Sequence, residues 1–232
     1  MIKQALEKVM NEDLSEIWSV LNGEEKRLII DNFTIHHFKK NQIIYAERDE
    51  AEHMWCLLQG KVKKFKDGVG GRQQILRLIR PVQYFGYRAY FAHEPYVSSA
   101  VALEASTLGS IPMTVVEDLI NRNKDIAWFF IHELSRNLGN SDTRIVNLTQ
   151  KHIRGRLAEA LIVLKDNYGY EDDGVTLRIY MAREDLANLS NMTTSNAIRT
   201  LSSFVNEKII VVDGREIKII NEPLLRKISK FG

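Results

Sequence analysis

The chain has 232 residues, of which 44% are hydrophobic and 27% charged, a composition typical of a globular protein and not of a disordered or fibrous one. No apolar stretch approaches the ~18 residues that a membrane span needs, and the N-terminus lacks the order of a signal peptide, so we expect a cytoplasmic protein without a membrane partner. The single cysteine, Cys56, excludes internal disulfides and any iron–sulfur or structural zinc site that needs several thiolates. The net charge of +2 permits nucleic-acid binding but does not require it.

The first third of the chain changes from a helical to a β-type pattern. Residues 1–33 are predicted to be helical, because Leu14, Ile17, Trp18 and Leu21 recur at spacings of three and four, with Gly23 interrupting before a short helix over 24–32. From residue 34 to 111, short β-rich runs alternate with glycine and proline turn signals, which predicts a small antiparallel sandwich or barrel. The predicted strands cover 42–46, 54–58, 61–66, 74–79 and 97–103.

A helical region is predicted from Pro112 to about residue 165, with a narrow apolar seam along it. The seam residues recur at alternating steps of four and three over about three heptads, which is the pattern of a two-stranded coiled coil. An alternative is a long helix lying on its own domain, which Trp128, Phe129 and Phe130 favour for the first turns. Beyond Gly139 only the seam is apolar, so we favour a dimer. The seam consists of Ala127, Ile131, Leu134, Leu138, Ser141, Ile145 and Leu148.

The last third of the chain carries the most specific pattern. A helix over 151–165 and a strand over 175–181 are predicted to precede helices over 183–190 and 194–207, which are separated by a tight break. Asn191 falls where the break needs a left-handed residue, and Thr193 is placed to cap the second helix. The predicted buried residues are Leu186 and Leu189 on the first helix, and Ala197, Ile198, Leu201 and Phe204, with Val205, on the second. This is a helix-turn-helix.

Two short β-runs follow, over 209–212 and 216–220, joined by Asp213–Gly214, a pair that type I′ hairpin turns prefer. The combination predicts a winged helix. The solvent face of its second helix carries short hydroxyl and amide side chains, including Ser202, which allow close approach to phosphates and base edges, and one arginine that can fork onto guanine. We predict phosphate contacts from Thr193 and Ser203 and base contacts from Thr194, Ser195 and Arg199. The full predicted DNA-binding set is Thr193, Thr194, Ser195, Asn196, Arg199 and Ser203.

Three segments resemble the Crp/Fnr family of bacterial transcription regulators. LLQGKVKKFKDGVGGRQQILRLIRPVQYFG resembles the family's β-roll, RGRLAEALIVL its first DNA-binding-domain helix, and REDLANLSNMTTSNAIRTLSSFVNEKII its helix-turn-helix. The resemblance implies an α+β fold with an antiparallel β-roll (1–112), a dimerisation helix (113–150) and a C-terminal winged helix-turn-helix (151–232). It also implies a homodimer on a twofold-symmetric operator, with recognition helices about 34 Å apart. RNA polymerase is implied as a partner, and an effector in the β-roll as the switch.

The chain departs from the family pattern in its effector region. Members that bind cyclic AMP carry a glycine–glutamate pair and an arginine–serine pair, and here Tyr87 stands at the glutamate position and Ser98 at the arginine position, which leaves only Ser99. The missing guanidinium removes a charge-assisted contact with a buried phosphate, so we predict that cyclic AMP is not the effector. Arg88 is one residue from the glutamate position, and neighbouring residues of a strand point to opposite faces, so Arg88 is expected to point away from the effector. We predict an aromatic, weakly polar pocket, or one filled by its own side chains, from Tyr84, Tyr87, Arg88, Ser98 and Ser99, with Tyr90 and Tyr96 nearby.

The sequence also bears on whether the protein binds haem or another metal group. Haem is disfavoured, because each of the candidate ligands is more often a structural side chain than a haem ligand, and no metal site is expected. The candidates are His36, His37, His53, His93 and Cys56.

Thr194 and Ser195 replace the arginine–glutamate pair that many members carry at the start of the recognition helix, so the operator should differ from the common one. No catalytic cluster is found, and the glycines near residue 70 lack the Lys–Ser/Thr sequel of a phosphate loop, so we expect no enzyme. The alternatives are a winged-helix protein-interaction module and a β-roll regulatory protein without specific DNA binding.

Overall fold

The computed structural model describes residues 15–231, so the predicted role of Leu14 lies outside the described residues. The helices are α1 Ser15–Ser19, α2 Gly23–Asn32, α3 Tyr87–Phe91, α4 Met113–Arg122, α5 Lys124–Gln150, α6 Ile153–Tyr168, α7 Arg183–Leu189, α8 Thr194–Asn206 and α9 Glu222–Phe231. The strands are β1 Thr34–Phe38, β2 Ile43–Tyr45, β3 His53–Gln59, β4 Val62–Asp67, β5 Gln73–Ile79, β6 Tyr84–Phe85, β7 Ser99–Ala102, β8 Ser106–Pro112, β9 Ile210–Asp213 and β10 Glu216–Ile219. The described residues form two compact units, one of residues 15–66 with 77–139, the other of 67–76 with 140–231.

The first unit is an antiparallel β-structure of two four-stranded sheets, which confirms the predicted fold class. One sheet has the order β1-β8-β3-β6 and the other β2-β7-β4-β5. Side chains of alternate residues point to opposite faces of a strand, so the two faces of a sheet carry different sets of residues. One set, here called the interior cluster, comes from both sheets: Tyr45, Ala51, Leu57, Val62, Ile79, Phe85, Ala89, Tyr96, Ala100 and Leu108.

The opposite face of the β1-β8-β3-β6 sheet is covered by helices. Met54, Cys56 and Tyr84 point to this side, where they pack with residues of α1, α2, α4 and α5 such as Trp18 and Phe130. We call this set the outer cluster. Asn22 caps α2 and forms a capping box with Glu25, which explains why the helix begins at Gly23, one residue before the predicted start.

A glycine on β8 makes room for an aromatic ring from the helical side. A Cβ atom on Gly109 would lie 1.8 Å from Cζ of Phe33, the residue that follows α2. Any side chain at this position would therefore displace the ring, because real Cβ atoms do not approach so closely.

Two of the predicted elements differ in the structure. The helical region after Pro112 consists of α4, α5 and α6, with Asn123 extended between α4 and α5 and with α6 at the place of the separate helix predicted over 151–165. Residues 87–91 form the helix α3 and not a strand, so the strand argument about the direction of Arg88 was wrong. The predicted strand over 175–181 is also wrong: the segment makes only the isolated bridges Tyr170–Leu177 and Thr176–Lys218.

The long helix α5 has two different faces. Ile126 and Phe130 are buried in the outer cluster, and Phe129 packs against it, as predicted for the first turns. Trp128, which was expected to support the same packing, is exposed. Along the seam, Ile131, Leu138 and Ile145 have 47%, 65% and 60% of their surface exposed, Ser141 is also exposed, and Ala127, Leu134 and Leu148 are half-buried.

Candidate functional site

The helix-turn-helix is formed by α7 and α8, as the sequence predicts. Leu186 and Leu189 are buried, and Asn191 in the break has a φ of 50°, the left-handed conformation expected there. The Thr193 hydroxyl oxygen accepts a hydrogen bond from the Asn196 backbone N–H at 3.3 Å, which confirms the predicted cap of α8.

The buried face of α8 is narrower than predicted. Ala197, Leu201 and Phe204 are buried at spacings of four and three, whereas Ile198 and Val205 are exposed. Placing the last two in the core was wrong, because at about 100° per residue each lies one step around the helix from the buried line. Ile198, with 47% of its surface exposed, therefore adds an apolar group beside the polar face. An apolar side chain there is suited to a thymine methyl group.

The polar face of α8 is largely open to solvent. Thr193, Thr194, Ser195, Arg199 and Ser202 are exposed, and Asn196 and Ser203 are half-buried. At 100° per residue, Ser195 and Arg199 project almost opposite to the buried line. The Arg199 guanidinium donates to Oδ1 of Asn196 at 2.5 Å, which holds two predicted DNA-binding residues together.

Ser203 already has partners within the protein. Its hydroxyl donates to Oε1 of Glu207 at 2.7 Å and accepts from Nη1 of Arg154 on α6 at 2.8 Å. Arg154 also binds both carboxylate oxygens of Glu207 and lies over the Phe204 ring, 4.8 Å from its centroid. These contacts with Arg154 and Ser203 lower the pKa of Glu207. The sequence reasoning missed this clamp, which ties α8 to α6.

The wing follows α8 directly, with its turn one residue later than predicted. Asp213 pairs with Glu216, so the two turn residues are Gly214 and Arg215. Only Gly214 has a positive φ, 53°, so the predicted type I′ turn, which needs two, was wrong. Arg215 is exposed at the tip and was missed as a candidate phosphate contact. The guanidinium of Arg183 at the start of α7 donates to the Gly214 carbonyl.

Residues 67–76, which belong to the second unit, contact the break of the helix-turn-helix. The Gln74 side-chain amide donates to the Asn188 carbonyl at 2.8 Å, and the Arg72 guanidinium donates to Oδ1 of Asn191 at 2.9 Å. The Arg144 guanidinium on α5 donates to the carbonyls of Ile75 and Leu189, at 2.7 and 3.0 Å. The side chains of Arg72, Gln74 and Arg144, which lie outside α7 and α8, therefore hold the break in place.

The predicted effector residues fall into different environments of the first unit. Tyr84 and Tyr87 are in the outer cluster, where Tyr84 packs edge-on against Phe129 and Tyr87 against Phe130. Ser98 is buried, and the Ser99 hydroxyl accepts from the backbone N–H of Glu47 at 2.9 Å. Two of the predicted residues lie nearer to solvent: Arg88 is ion-paired with Glu94 at 2.6 Å, and the Tyr90 hydroxyl donates to Oε2 of Glu117 at 2.6 Å.

Inside the β-roll, aromatic rings lie beside cations that the sequence reasoning did not single out. Tyr45 and Tyr96 stack with ring centroids 3.8 Å apart. Lys64 on β4 and Arg77 on β5 are half-buried, and burial lowers the pKa of Lys64 to about 8, with further lowering by Arg77 and Arg88. Burial also raises the pKa of Tyr45 and lowers that of Arg77.

The histidines considered as haem ligands are engaged with neighbouring strands or lie at turns. His36 Nε2 hydrogen-bonds Ser110 Oγ at 2.9 Å, and His37 Nδ1 hydrogen-bonds Thr107 Oγ1 at 3.2 Å. Burial, together with His53 and His37, lowers the pKa of His36. Cys56 is buried and is not part of a disulfide, and His93 has a positive φ after α3. Between residues 15 and 231, no three His, Cys, Asp or Glu side chains are grouped so that they could hold a metal ion.

Of the helices formed by residues 15–231, none combines the length and the apolar character needed to cross a membrane.

Comparison with known proteins finds two family models on the chain. A cyclic nucleotide-binding domain matches residues 35–123, and a Crp-like helix-turn-helix domain matches residues 155–228. A CRP-like cAMP-activated global transcriptional regulator of Mycobacterium tuberculosis is 22% identical over 83% of this chain and 87% of its own. Regulatory protein HlyX of Actinobacillus pleuropneumoniae is 26% identical over 78% of this chain and 75% of its own. The solved structure of FixK2 from Bradyrhizobium japonicum has the same fold, with a TM-score of 0.77 and 21% identity over 85% of this chain and 97% of its own.

Proposed function

Since the chain belongs to the Crp/Fnr family of transcription regulators, we propose that it binds a palindromic operator sequence-specifically as a homodimer, under the control of an effector other than cyclic AMP. The protein acts on transcription in the cytoplasm through a contact with RNA polymerase, and it carries out no catalytic step. The observation that carries the proposal is the exposed row of short polar side chains on α8, held on a winged-helix scaffold.

Operator recognition is assigned to α8 and the wing. Ser195 and Arg199 are exposed on the outward face of α8, where short side chains allow the helix to enter the major groove and Arg199 reaches guanine. Thr193 at the N-terminus of α8 is placed for a phosphate, which helix N-termini favour, and Thr194 for a base edge. Arg215 at the wing tip adds a second, sequence-independent phosphate contact. In this arrangement Ser203 serves mainly to hold Arg154 and Glu207 in place.

Dimerisation is assigned to the seam on α5. Ile131, Leu138 and Ile145 follow each other at seven residues along one line, and all three are exposed in the single chain. A row of exposed apolar residues at heptad spacing is the surface that a second copy of the same helix buries. Two copies then present two α8 helices about one turn of DNA apart.

The effector is assigned to the β-roll, and cyclic AMP is not proposed for this role. Tyr87, at the position of the ribose-binding glutamate, is packed against Phe130 in the outer cluster, and Ser98, at the position of the phosphate-binding arginine, carries no charge. The interior offers stacked rings where a nucleotide would need space.

Selection of bound sequences from a random DNA library, followed by gel-shift titration across a salt series, tests this function. We expect enrichment of a palindrome with half-sites about 10–11 base pairs apart, and affinity that falls as a power of the salt concentration. No complex even at low salt would refute the proposal and favour a protein-interaction module. Calorimetry that shows saturable micromolar binding of cyclic AMP would refute the effector assignment.

A further inference from the structure

Two basic side chains project toward the interior of the β-roll. On β4, Lys64 is two residues from Val62, and on β5, Arg77 is two residues from Ile79; both apolar residues belong to the interior cluster. Residues two apart share a face of a strand, so Lys64 and Arg77 point to the same side as the interior cluster. β4 and β5 are neighbouring strands. On the other side of β4, Lys64 lies opposite Ala100 of β7, which is another member of that cluster.

No carboxylate of the described residues is paired with these two charges. Among residues 15–231, neither Lys64 nor Arg77 forms an ion pair, and the nearby Arg88 adds a third positive charge, which is bonded to Glu94. Burial and the other two cations lower the pKa of Lys64 to about 8. Unpaired charges in a desolvated position cost free energy, and a protein retains them where a ligand of opposite charge supplies the missing partner.

A neutral hydrogen-bond donor lies on the same face as Lys64. Tyr45 is only 5% exposed, and among residues 15–231 its hydroxyl has no hydrogen-bond partner. Ala100 on β7 is the register partner of both Tyr45 on β2 and Lys64 on β4, so the three side chains share one face of the sheet. A buried hydroxyl left unsatisfied is rare in folded proteins, and it is satisfied when a ligand oxygen accepts from it.

We propose that Lys64, Arg77 and the Tyr45 hydroxyl bind a small organic anion through its carboxylate or phosphate oxygens, and that this anion is the effector. A guanidinium forms two parallel hydrogen bonds to such a group, and a lysine and a phenol donate to its remaining oxygens. The anion is small, because Tyr45, Phe85 and Tyr96 already occupy the interior. The site differs from the arginine–serine pair of cyclic AMP-binding members, whose arginine position is Ser98 here. The inference rests on the proposed function for its role as an effector site.

Thermal unfolding of the full chain without DNA tests the site. The melting temperature is measured against increasing inorganic phosphate, acetate or cyclic AMP, with chloride at matched ionic strength as the reference. We expect phosphate or acetate to raise it saturably by about 2–4 °C, and the comparison of the two identifies the preferred oxyanion. In Lys64→Met and Arg77→Met, the half-saturating concentration should rise at least tenfold.

Two further variants separate the site from general charge and folding effects. Lys63→Met removes the neighbouring charge on the opposite face of β4 and should leave the anion response unchanged. Lys64→Gln keeps a polar group but removes the charge. Because an unpaired, desolvated charge destabilises the fold, the melting temperature of this variant in chloride alone should be no lower than that of the parent.

The proposal is overturned if no anion stabilises the parent chain beyond chloride, if Lys64→Met and Arg77→Met respond as the parent does, or if cyclic AMP stabilises more strongly than phosphate and acetate. Gel shifts of the parent in chloride test DNA binding separately. If the parent forms no complex with DNA, the proposed function is refuted, whereas the anion response can still be observed.

Discussion

Truncation of Leu138 tests the dimer most directly. With 65% of its surface exposed in the single chain, Leu138 stands at the centre of the seam. Removing a fully buried leucine side chain costs about 2–5 kcal/mol, so the part that a partner would bury accounts for about 1–3 kcal/mol per chain. A symmetric dimer contains the change twice, so Leu138→Ala should weaken dimerisation by about 2–6 kcal/mol, or roughly 30- to 10⁴-fold.

Sedimentation equilibrium over a wide protein concentration range measures this change. Alanine is the best helix former, so α5 itself should stay intact, as circular dichroism can verify. Val146→Ala is the matched control, because Val146 is 49% exposed on the same helix but lies off the seam. A parent chain that sediments as a monomer, or a Leu138→Ala dimer as tight as the Val146→Ala dimer, would refute the reasoning.

Three further substitutions probe the winged helix. Arg199→Ala should cost about 1–3 kcal/mol of specific DNA binding in gel shifts and relax the preference at one base pair. Arg154→Met keeps the stem but loses the partly exposed hydrogen bonds to Glu207, and should lower the free energy of urea unfolding by about 1–2 kcal/mol. Bonds from Thr176 lower the pKa of Asp173 to about 2, so its stabilisation is complete above the usual carboxyl pKa and is lost as pH falls from about 4 to about 2. The melting temperatures of Asp173→Asn and the parent should therefore converge over that range.

Each of these expectations has an outcome that contradicts it. Equal losses on specific and random DNA would show that Arg199 touches phosphate. An Arg154→Met chain as stable as the parent would mean that the clamp is broken in solution. A melting difference for Asp173→Asn that stays constant between pH 5 and 2.5 would exclude the carboxylate as its source.

Local chemistry explains why the helix-turn-helix was predictable. Asn191 and Thr193 were identified because a left-handed residue and an N-cap depend on the residue itself and its near neighbours. The wing turn was misplaced by one residue because its register depends on packing across the hairpin. The buried Ile210 and Ile219 face each other, which moves the turn to Gly214–Arg215.

Elements that depend on distant partners were harder to predict. Residues 175–181 have an apolar, β-branched composition, yet the segment forms only single bridges, from Leu177 to Tyr170 and from Thr176 to Lys218 on β10. The sequence YRAYF was similarly ambiguous, and tertiary packing makes it the helix α3.

The cations inside the β-roll were missed for a different reason. A lysine in a run such as VKKFK is normally placed on the solvent face of a strand. The signal was nevertheless present, because Lys64 shares its parity with Val62 and Arg77 with Ile79. Once the two apolar residues are known to face inward, strand geometry leaves the basic side chains no other direction.

The bond from Arg183 to the Gly214 carbonyl has a consequence for how DNA is selected. It fastens the start of α7 to the turn of the wing, so the protein sets the distance between the wing tip and α8, the helix proposed to enter the major groove. A duplex whose grooves do not match that distance has to bend or untwist before both parts can engage. Base pairs that no side chain touches then affect affinity through their stiffness, and flexible pyrimidine–purine steps between the contacted positions should be favoured.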